Sequence, residues 1–171
     1  MKQNVYDQEV FYKGYKAIRE RAYNYNNLLE QPALSALMPD VRGKVVLDIG
    51  CGAGDFAAKC VRGGAVRVIG IDISANMINE ASSKYMDARL EFIQAAFEDV
   101  ELERSSIDIV VSSLAFHYIA DFRAVMEKVS TVLRDGGDIV FSCEHPIVTA
   151  NIGGEDWVLD GAGAIRHFAV D

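Results

Sequence analysis

The chain has 171 residues, 50% of them hydrophobic and 25% charged, which fits a folded globular protein and excludes a disordered or fibrous one. At ~150 residues per domain, the length predicts a single domain with a core that needs no staples. The net charge of −8, without any basic run, argues against a grip on nucleic-acid phosphates.

Residues 5 to 40 read as helical. Phe11, Tyr15, Ile18 and Ala22 recur at helical spacing and predict one apolar face. The run Asn24 to Asn27 interrupts it. Asn27 is expected to cap a second helix carrying Leu28, Leu34, Leu37 and Met38, with Pro32 in its first turn. Pro39 and Gly43 then end it. From Lys44 the period changes. Short β-rich runs stand at Val45 to Ile49, Val66 to Ile73, Leu90 to Ala95, Ile107 to Ser112 and Asp138 to Ser142. Helical stretches separate several of them: Asp55 to Arg62, Ser74 to Met86 with Ser74 as cap, and Asp121 to Leu133. In the last, Phe122, Val125, Val129 and Leu133 share a face. Strands with little alternation, separated by helices, predict parallel strands buried on both faces. The fold class expected is α/β: a doubly wound, mostly parallel, Rossmann-like sheet with helices on both faces.

The sharpest chemical signal is Leu47-Asp48-Ile49-Gly50-Cys51-Gly52-Ala53-Gly54, where a buried strand runs through three glycines into a helix. Glycine lets a ligand approach backbone that a Cβ would block. The following helix offers free N–H groups and a positive dipole end. A plain tight turn accounts poorly for three alternate glycines. Dinucleotide folds use GxGxxG, whose third glycine packs the helix close beside a pyrophosphate. Here Asp55 occupies that position, and a carboxylate there repels a pyrophosphate. A second signal, Gly70-Ile71-Asp72-Ile73-Ser74, puts a carboxylate at the end of the second strand. Asp72 there is placed to accept both hydroxyls of an adenosine ribose, although strand-end aspartates also serve as solvated caps.

Together, LDIGCGAG and GIDIS resemble the class I S-adenosylmethionine-dependent methyltransferases, in the small-molecule branch similar to the ubiquinone-biosynthesis enzymes. The resemblance covers about residues 30 to 145. FIQAAFEDV (92–100), IDIVVSSLAFHY (107–118) and LRDGGDI (133–139) are similar to the family's later landmarks. The resemblance implies S-adenosyl-L-methionine as cofactor and a role for each matching residue. Gly50, Cys51, Gly52 and Gly54 would line its methionine part, with Cys51 a small space-filler rather than a nucleophile. Asp48 would orient the loop and the cofactor's amino group. Asp72 would hold the ribose. Ile73 and Met77 would lie near the adenine, with Phe97 on the ring's other side. Ser113 would offer its backbone carbonyl to the amino group. Relatives often carry an acidic residue where Ala96 stands, so Glu98, Asp99 or a backbone group is expected to replace it.

A sulfonium is an activated methyl donor, so alignment and water exclusion carry most of the catalytic demand. A base is required only where the acceptor loses a proton. His117, after the fourth strand beside Tyr118, and His145, after the fifth, are the candidates. Either also fits a histidine packed at a strand end. Glu144 has similar standing. Tyr6, Tyr12, Tyr15, Tyr23 and Tyr25 crowd the N-terminal segment and suggest a lid over cofactor and acceptor, with packing on a sheet edge as the plainer reading. Glu30 is a candidate polar contact to the acceptor. The expected layout is one domain: a helical lid (1–43), a cofactor-binding core (44–145) and a short tail (146–171).

The family fold has seven strands, and only five are legible, so its final strands are expected to be incomplete. The tail offers Trp157-Val158-Leu159, then Asp160-Gly161, then Ile165 to Val170, a pattern that suggests a hairpin. Trp157 to Val170 is expected to cover the exposed sheet edge or to pair with a second copy of the chain as a homodimer. The start MKQNVYDQEV has no signal-peptide pattern, and no run approaches the ~20 apolar residues of a membrane helix. Cys51, Cys60 and Cys143 form no CxxC pair. A cytoplasmic protein with reduced thiols, a small-molecule acceptor, no metal site, no nucleic acid and no membrane is expected. Two rival functions stand beside the methyltransferase: a non-catalytic cofactor binder with an incomplete acceptor site, and an NAD-dependent oxidoreductase, which Asp55 disfavours.

Overall fold

The computed structural model of the chain describes residues 4–19, 21, 23–145, 158–159 and 165–166. Five strands form one parallel sheet: β1 (Val45–Ile49), β2 (Arg67–Asp72), β3 (Leu90–Gln94), β4 (Ile107–Ser113) and β5 (Leu133–Ser142). Their spatial order is β3-β2-β1-β4-β5, so the chain reverses direction across the sheet between β1 and β4. That switch point opens a crevice beyond the carboxyl ends of the two strands, where sheets of this class bind ligands. The order is doubly wound, as the alternation of strand and helix predicted.

The non-alternating strands are buried on both faces. On one face Leu47, Ile49, Ile71 and Val110 pack beneath α5 (Phe122–Val132) through Val125, Val129 and Val132. On the other, Val46, Val68 and Val111 pack against α3 (Asp55–Arg62) through Phe56, Ala57 and Val61. Burying each large side chain of this kind contributes roughly 1.5–3 kcal/mol. The expected α5 face is adjusted by one residue: Val132 turns inward, while Leu133 already begins β5 and pairs with Ile107. The LRDGG stretch lies inside a ladder irregularity between Ile107 and Ile109 rather than ahead of the strand, with Gly136 at φ +77.

Ser74 caps α4 (Ala75–Lys84), its hydroxyl accepting from the Met77 N–H at 3.2 Å. Asp121 caps α5 in the same way, accepting from the Ala124 N–H at 2.9 Å. The N-terminal segment departs from expectation. α1 (Glu9–Arg19) buries none of its residues; Phe11 and Ile18 are 41% and 51% exposed, and Ala22 lies outside the described residues. Its aromatic stripe faces the crevice rather than a closed core. The second helix is capped by Asn24, whose Oδ1 accepts from the Asn27 N–H at 2.8 Å, and not by Asn27. A π-helical turn (Asn26–Glu30) opens it and runs directly into α2 (Gln31–Leu37), with the Gln31 N–H reaching back to the Asn26 carbonyl. Pro32 explains the wide turn. It has no N–H for the Leu28 carbonyl, and its ring crowds that carbonyl in a normal α-turn. Of the predicted apolar residues here, only Leu34 is buried; Leu28 and Leu37 are exposed.

In the tail, β6 (Val158–Leu159) and β7 (Ile165–Arg166) pair antiparallel, in keeping with the expected hairpin. They form a ladder separate from the five-stranded sheet. The expectation that Trp157 to Val170 covers the sheet edge falls largely outside the described residues. Among those residues, no helix is long and apolar enough to cross a membrane.

Candidate active site

The glycine loop sits at the switch point, tied down from behind. The N–H groups of Gly50 and Cys51 both donate to the Ile71 carbonyl, at 2.8 and 3.0 Å. Gly50 has φ +74, and a Cβ there would stand 2.3 Å from the Cβ of Ala115, in the loop after β4. This glycine exists to let two loops meet. Gly52 differs. It also has positive φ, +52, yet a Cβ built on it meets nothing within 4 Å. The space in front of Gly52 is therefore a cradle left open on the crevice side. Gly54, at φ +79, caps α3 and packs against Phe92 and Ala81.

Two carboxylates stand behind and beside this cradle. Asp48, at the end of β1, is 1% exposed, and its Oδ2 has no hydrogen-bond partner. Burial, reinforced by the nearby charge of Asp72, pushes its pKa up to about 7 against a partial offset from the Ala57 N–H. Asp72, at the end of β2, accepts from the Gly52 N–H at 2.9 Å and from the Ser74 N–H at 2.9 Å. Burial raises its pKa while those bonds oppose the rise. Asp72 thus shapes the glycine loop itself, and each of its oxygens keeps a further lone pair for a ligand hydroxyl. Two adjacent, poorly solvated carboxylates around an open cradle suit a ligand with cationic groups. Cys51 is buried, which drives its thiol pKa well above the ordinary value, as a space-filling and unreactive cysteine requires. Asp55, at the position of a dinucleotide fold's third glycine, is bound to Lys84 Nζ at 2.6 Å and the Tyr85 hydroxyl at 2.5 Å.

The N-terminal segment closes over the crevice. The Tyr6 hydroxyl lies 3.3 Å from that of Tyr118, and its ring meets Phe11 and Tyr15 edge-on, each 5.1 Å between centroids. Burial raises the pKa of Tyr6 and Tyr15, with Asp72 adding to both. The Tyr12 hydroxyl donates to Glu80 on α4. Tyr12, Tyr15, Gln31, Asp55, Met77 and Lys84 help to line a cleft of about 350 Å³ between the lid and α4. Tyr23 and Tyr25 point outward, at 82% and 83% exposure, and do not share in this lid.

A clasp that sequence reasoning missed ties the N-terminal segment to α4. Asp7 Oδ1 accepts from the Ser74 hydroxyl and the Asn76 N–H, and Oδ2 from the Ala75 N–H, at 2.6, 3.1 and 3.2 Å. A carboxylate from a distant segment thus takes up the free N–H groups of α4. Against some desolvation, these bonds hold its pKa at about 2. Asn4 Nδ2 adds a longer contact, 3.4 Å, to the Ile73 carbonyl. No local signal marks Asp7, because its partners lie far along the chain.

The remaining candidates divide. Met77 is buried and reaches the cleft. Phe97 is 3% exposed and packs in the core beneath α5, with Lys128 Nζ 5.0 Å from its ring centroid. Ala96 precedes the 3₁₀ turn Phe97–Asp99 and accepts from the Asp99 N–H; Glu98 and Asp99 are exposed. The Ser113 hydroxyl donates to Glu30 at 2.8 Å and accepts from Gln31 Nε2 at 3.0 Å. His117 Nδ1 accepts from the Glu144 N–H at 3.4 Å, and its Nε2 lies 3.9 Å from the Glu144 carboxylate. His145 is exposed at the end of the described core. The structure thus joins His117 to Glu144.

Residues 46–137 match the family model described as methyltransferase domain. The chain belongs to this methyltransferase family. A crystal structure assigned as an S-adenosylmethionine-dependent methyltransferase of Listeria monocytogenes superposes with a TM-score of 0.78 at 40% identity, covering 83% of this chain and 64% of that one. A protein of Haemophilus influenzae is 34% identical over 90% of this chain and 63% of its own length. A demethylmenaquinone methyltransferase of Lactococcus lactis is 30% identical over 64% of this chain and 46% of its own. The chain thus spans from about half to under two thirds of the length of these relatives. The class I methyltransferase resemblance and the Rossmann-like fold read from the sequence both hold for this domain.

Proposed function

We propose that this methyltransferase domain binds S-adenosyl-L-methionine in the crevice at the switch point and delivers its methyl group to a small-molecule acceptor. The open cradle at Gly52, flanked by the buried Asp48 and by Asp72, carries the reading. When bound, the cofactor supplies an activated methyl on a sulfonium, which an acceptor nucleophile takes by in-line displacement. Gly50, Gly52 and Gly54 hold the loop in positive-φ shapes that let the methionine part approach backbone. Asp48 offers its unpartnered oxygen toward the ammonium. Asp72 orients the ribose while fixing the Gly52 N–H. Ile73, Met77 and Ala96 would border the adenine, and the Ser113 carbonyl would accept from the amino group.

The lid of Tyr6, Tyr12, Tyr15 and Tyr118 excludes water and narrows the approach of the acceptor, so that positioning supplies much of the rate. His117, steadied by Glu144, is the base where the acceptor must lose a proton, with His145 as an outer alternative. The relatives' small acceptors, the net charge of −8 and the free thiols of Cys51, Cys60 and Cys143 support a cytoplasmic enzyme of small molecules. We read the chain as one domain with an N-terminal lid.

Transfer of labelled methyl from S-adenosylmethionine to a panel of quinols, fatty acids, amines and phenols tests this reading. Turnover on at least one member, reduced at least tenfold in Asp72→Asn, is expected. Cofactor binding without turnover on any class would favour the non-catalytic binder.

A further inference from the structure

Between the second helix and the ends of β4 and β5 lies a second cleft, of about 410 Å³. Its walls are apolar: Tyr25, Leu29, Leu34, Leu37, Leu114 and Phe141. One carboxylate, Glu30, at the end of the π-helical turn, also lines it. Turns of this kind are rare and concentrate at functional sites. Leu114, at the mouth of β4, carries φ +50, a strained value for a non-glycine residue and one that also clusters at ligand sites.

The bonding of Glu30 is unusual in its completeness. Oε1 accepts from the Ser113 hydroxyl at 2.8 Å and the Ser142 hydroxyl at 2.5 Å. Oε2 accepts from Gln31 Nε2 at 2.7 Å and Asn26 Nδ2 at 3.2 Å. All four donors are neutral. Among the described residues, no Lys, Arg or His forms an ion pair with Glu30. The carboxylate therefore lacks a counter-charge rather than hydrogen bonds. An alcohol O–H and an ammonium N–H must alike displace one of these donors to reach the carboxylate, and of the two only the ammonium also brings the missing counter-charge. The net charge of −8 draws cations toward such a site over distance. Gln31 also bonds to Ser113 at 3.0 Å and lines the cofactor crevice, so one hydrogen-bonded network lines both cavities.

We propose that this second cleft is the acceptor site, that it takes an amphiphilic amine, and that Glu30 holds the ammonium head while the apolar walls hold the tail. The proposal rests on the methyltransferase reading for the role of the bound amine, but not for its binding. For reaction, the head must shed one proton to water or base. Its nitrogen lone pair then forms the new C–N bond as the S–C bond breaks and the sulfonium becomes a neutral thioether.

Calorimetric titration of the whole chain, first with S-adenosylhomocysteine and then with octylamine, octanol and octanoate, tests it. Octylamine is expected to bind at least tenfold tighter than octanol, and octanoate not at all. Lengthening the amine from hexyl to octyl should tighten binding about two- to fourfold per methylene, as burial of the tail requires. Glu30→Gln should abolish the preference for amine over alcohol while leaving S-adenosylhomocysteine affinity within about threefold, which also shows that the variant folds. Leu37→Ser, at an exposed position on the wall, should weaken amine and alcohol alike and keep the preference. Equal binding of octylamine and octanol, an amine preference that survives Glu30→Gln, or no dependence on tail length would each overturn the proposal. Failure of S-adenosylhomocysteine alone would overturn the methyltransferase reading instead, and the amine preference would still decide the cleft.

Discussion

Gly50 and Gly52 sit two residues apart in the same loop, both at positive φ, and the structure assigns them different work. An alanine at either position carries the left-handed penalty of roughly 1–2 kcal/mol. At Gly52 that is the whole cost to the fold, because the added Cβ meets nothing within 4 Å. For a chain of this size, each kcal/mol lowers Tm by about 2–4 °C, so Gly52→Ala should melt roughly 2–8 °C below wild type. At Gly50 the Cβ would also stand 2.3 Å from that of Ala115. Overpacking of that kind adds about 1–3 kcal/mol, so Gly50→Ala should lose roughly 4–20 °C. Ligand binding should run the other way. The Gly52 methyl projects into the cradle, and the same roughly 1–3 kcal/mol of overpacking against a bound cofactor corresponds to about 5- to 150-fold in affinity. Scanning calorimetry paired with titration by S-adenosylhomocysteine reads both quantities. A Gly52→Ala protein that binds like wild type would refute the assignment of the cradle, and one that melts as low as Gly50→Ala would refute the steric argument.

Asp48 should make stability fall with pH. Its folded pKa of about 7 lies above its unfolded value, so its contribution is fully present below pH ~4 and is lost as pH rises toward 7, by at most about 4 kcal/mol. Denaturant melts at pH 5 and 8 should show Asp48→Asn losing less stability than wild type across that interval; parallel losses would mean that Asp48 does not titrate there. S-adenosylmethionine, which is cationic, should in turn bind wild type more tightly at pH 8 than at pH 6, and Asp48→Asn should lose that trend. Asp7→Ala should leave the core melting within a few degrees of wild type, since cap losses are typically ~1 kcal/mol. It should speed amide exchange in α1, which Asp7 clasps to α4; unchanged exchange there would show that the clasp does not hold the lid.

The legible parts of this molecule are those whose causes are local or periodic. β1, β2 and β4 announced themselves as short apolar runs because both their faces are buried. Ser74 and Asp121 announced their helices because a cap needs only a neighbour three residues on. The glycine loop and Asp72 were legible because their spacing alone places a carboxylate beside positive-φ backbone. The parts that escaped depend on distant partners. Asp7 caps a helix nearly seventy residues away. Glu30 was visible as a stray polar residue, but its four donors come from four elements: the π-helical turn, α2, β4 and β5. Pro32 pointed to a helix start, and only the continuous helix around it turned that signal into a π-helical turn. Phe11 and Ile18 had the periodicity of a buried face without a core to receive it.

The central claim is that the crevice at the switch point is built for S-adenosylmethionine. Calorimetric titration of the purified 171-residue chain with S-adenosylhomocysteine, with NADH as the control ligand, tests it most directly. The account predicts one site of micromolar affinity for S-adenosylhomocysteine and no binding of NADH, as Asp55 beside the glycine loop requires. Silence toward S-adenosylhomocysteine, or tighter binding of NADH, would contradict it.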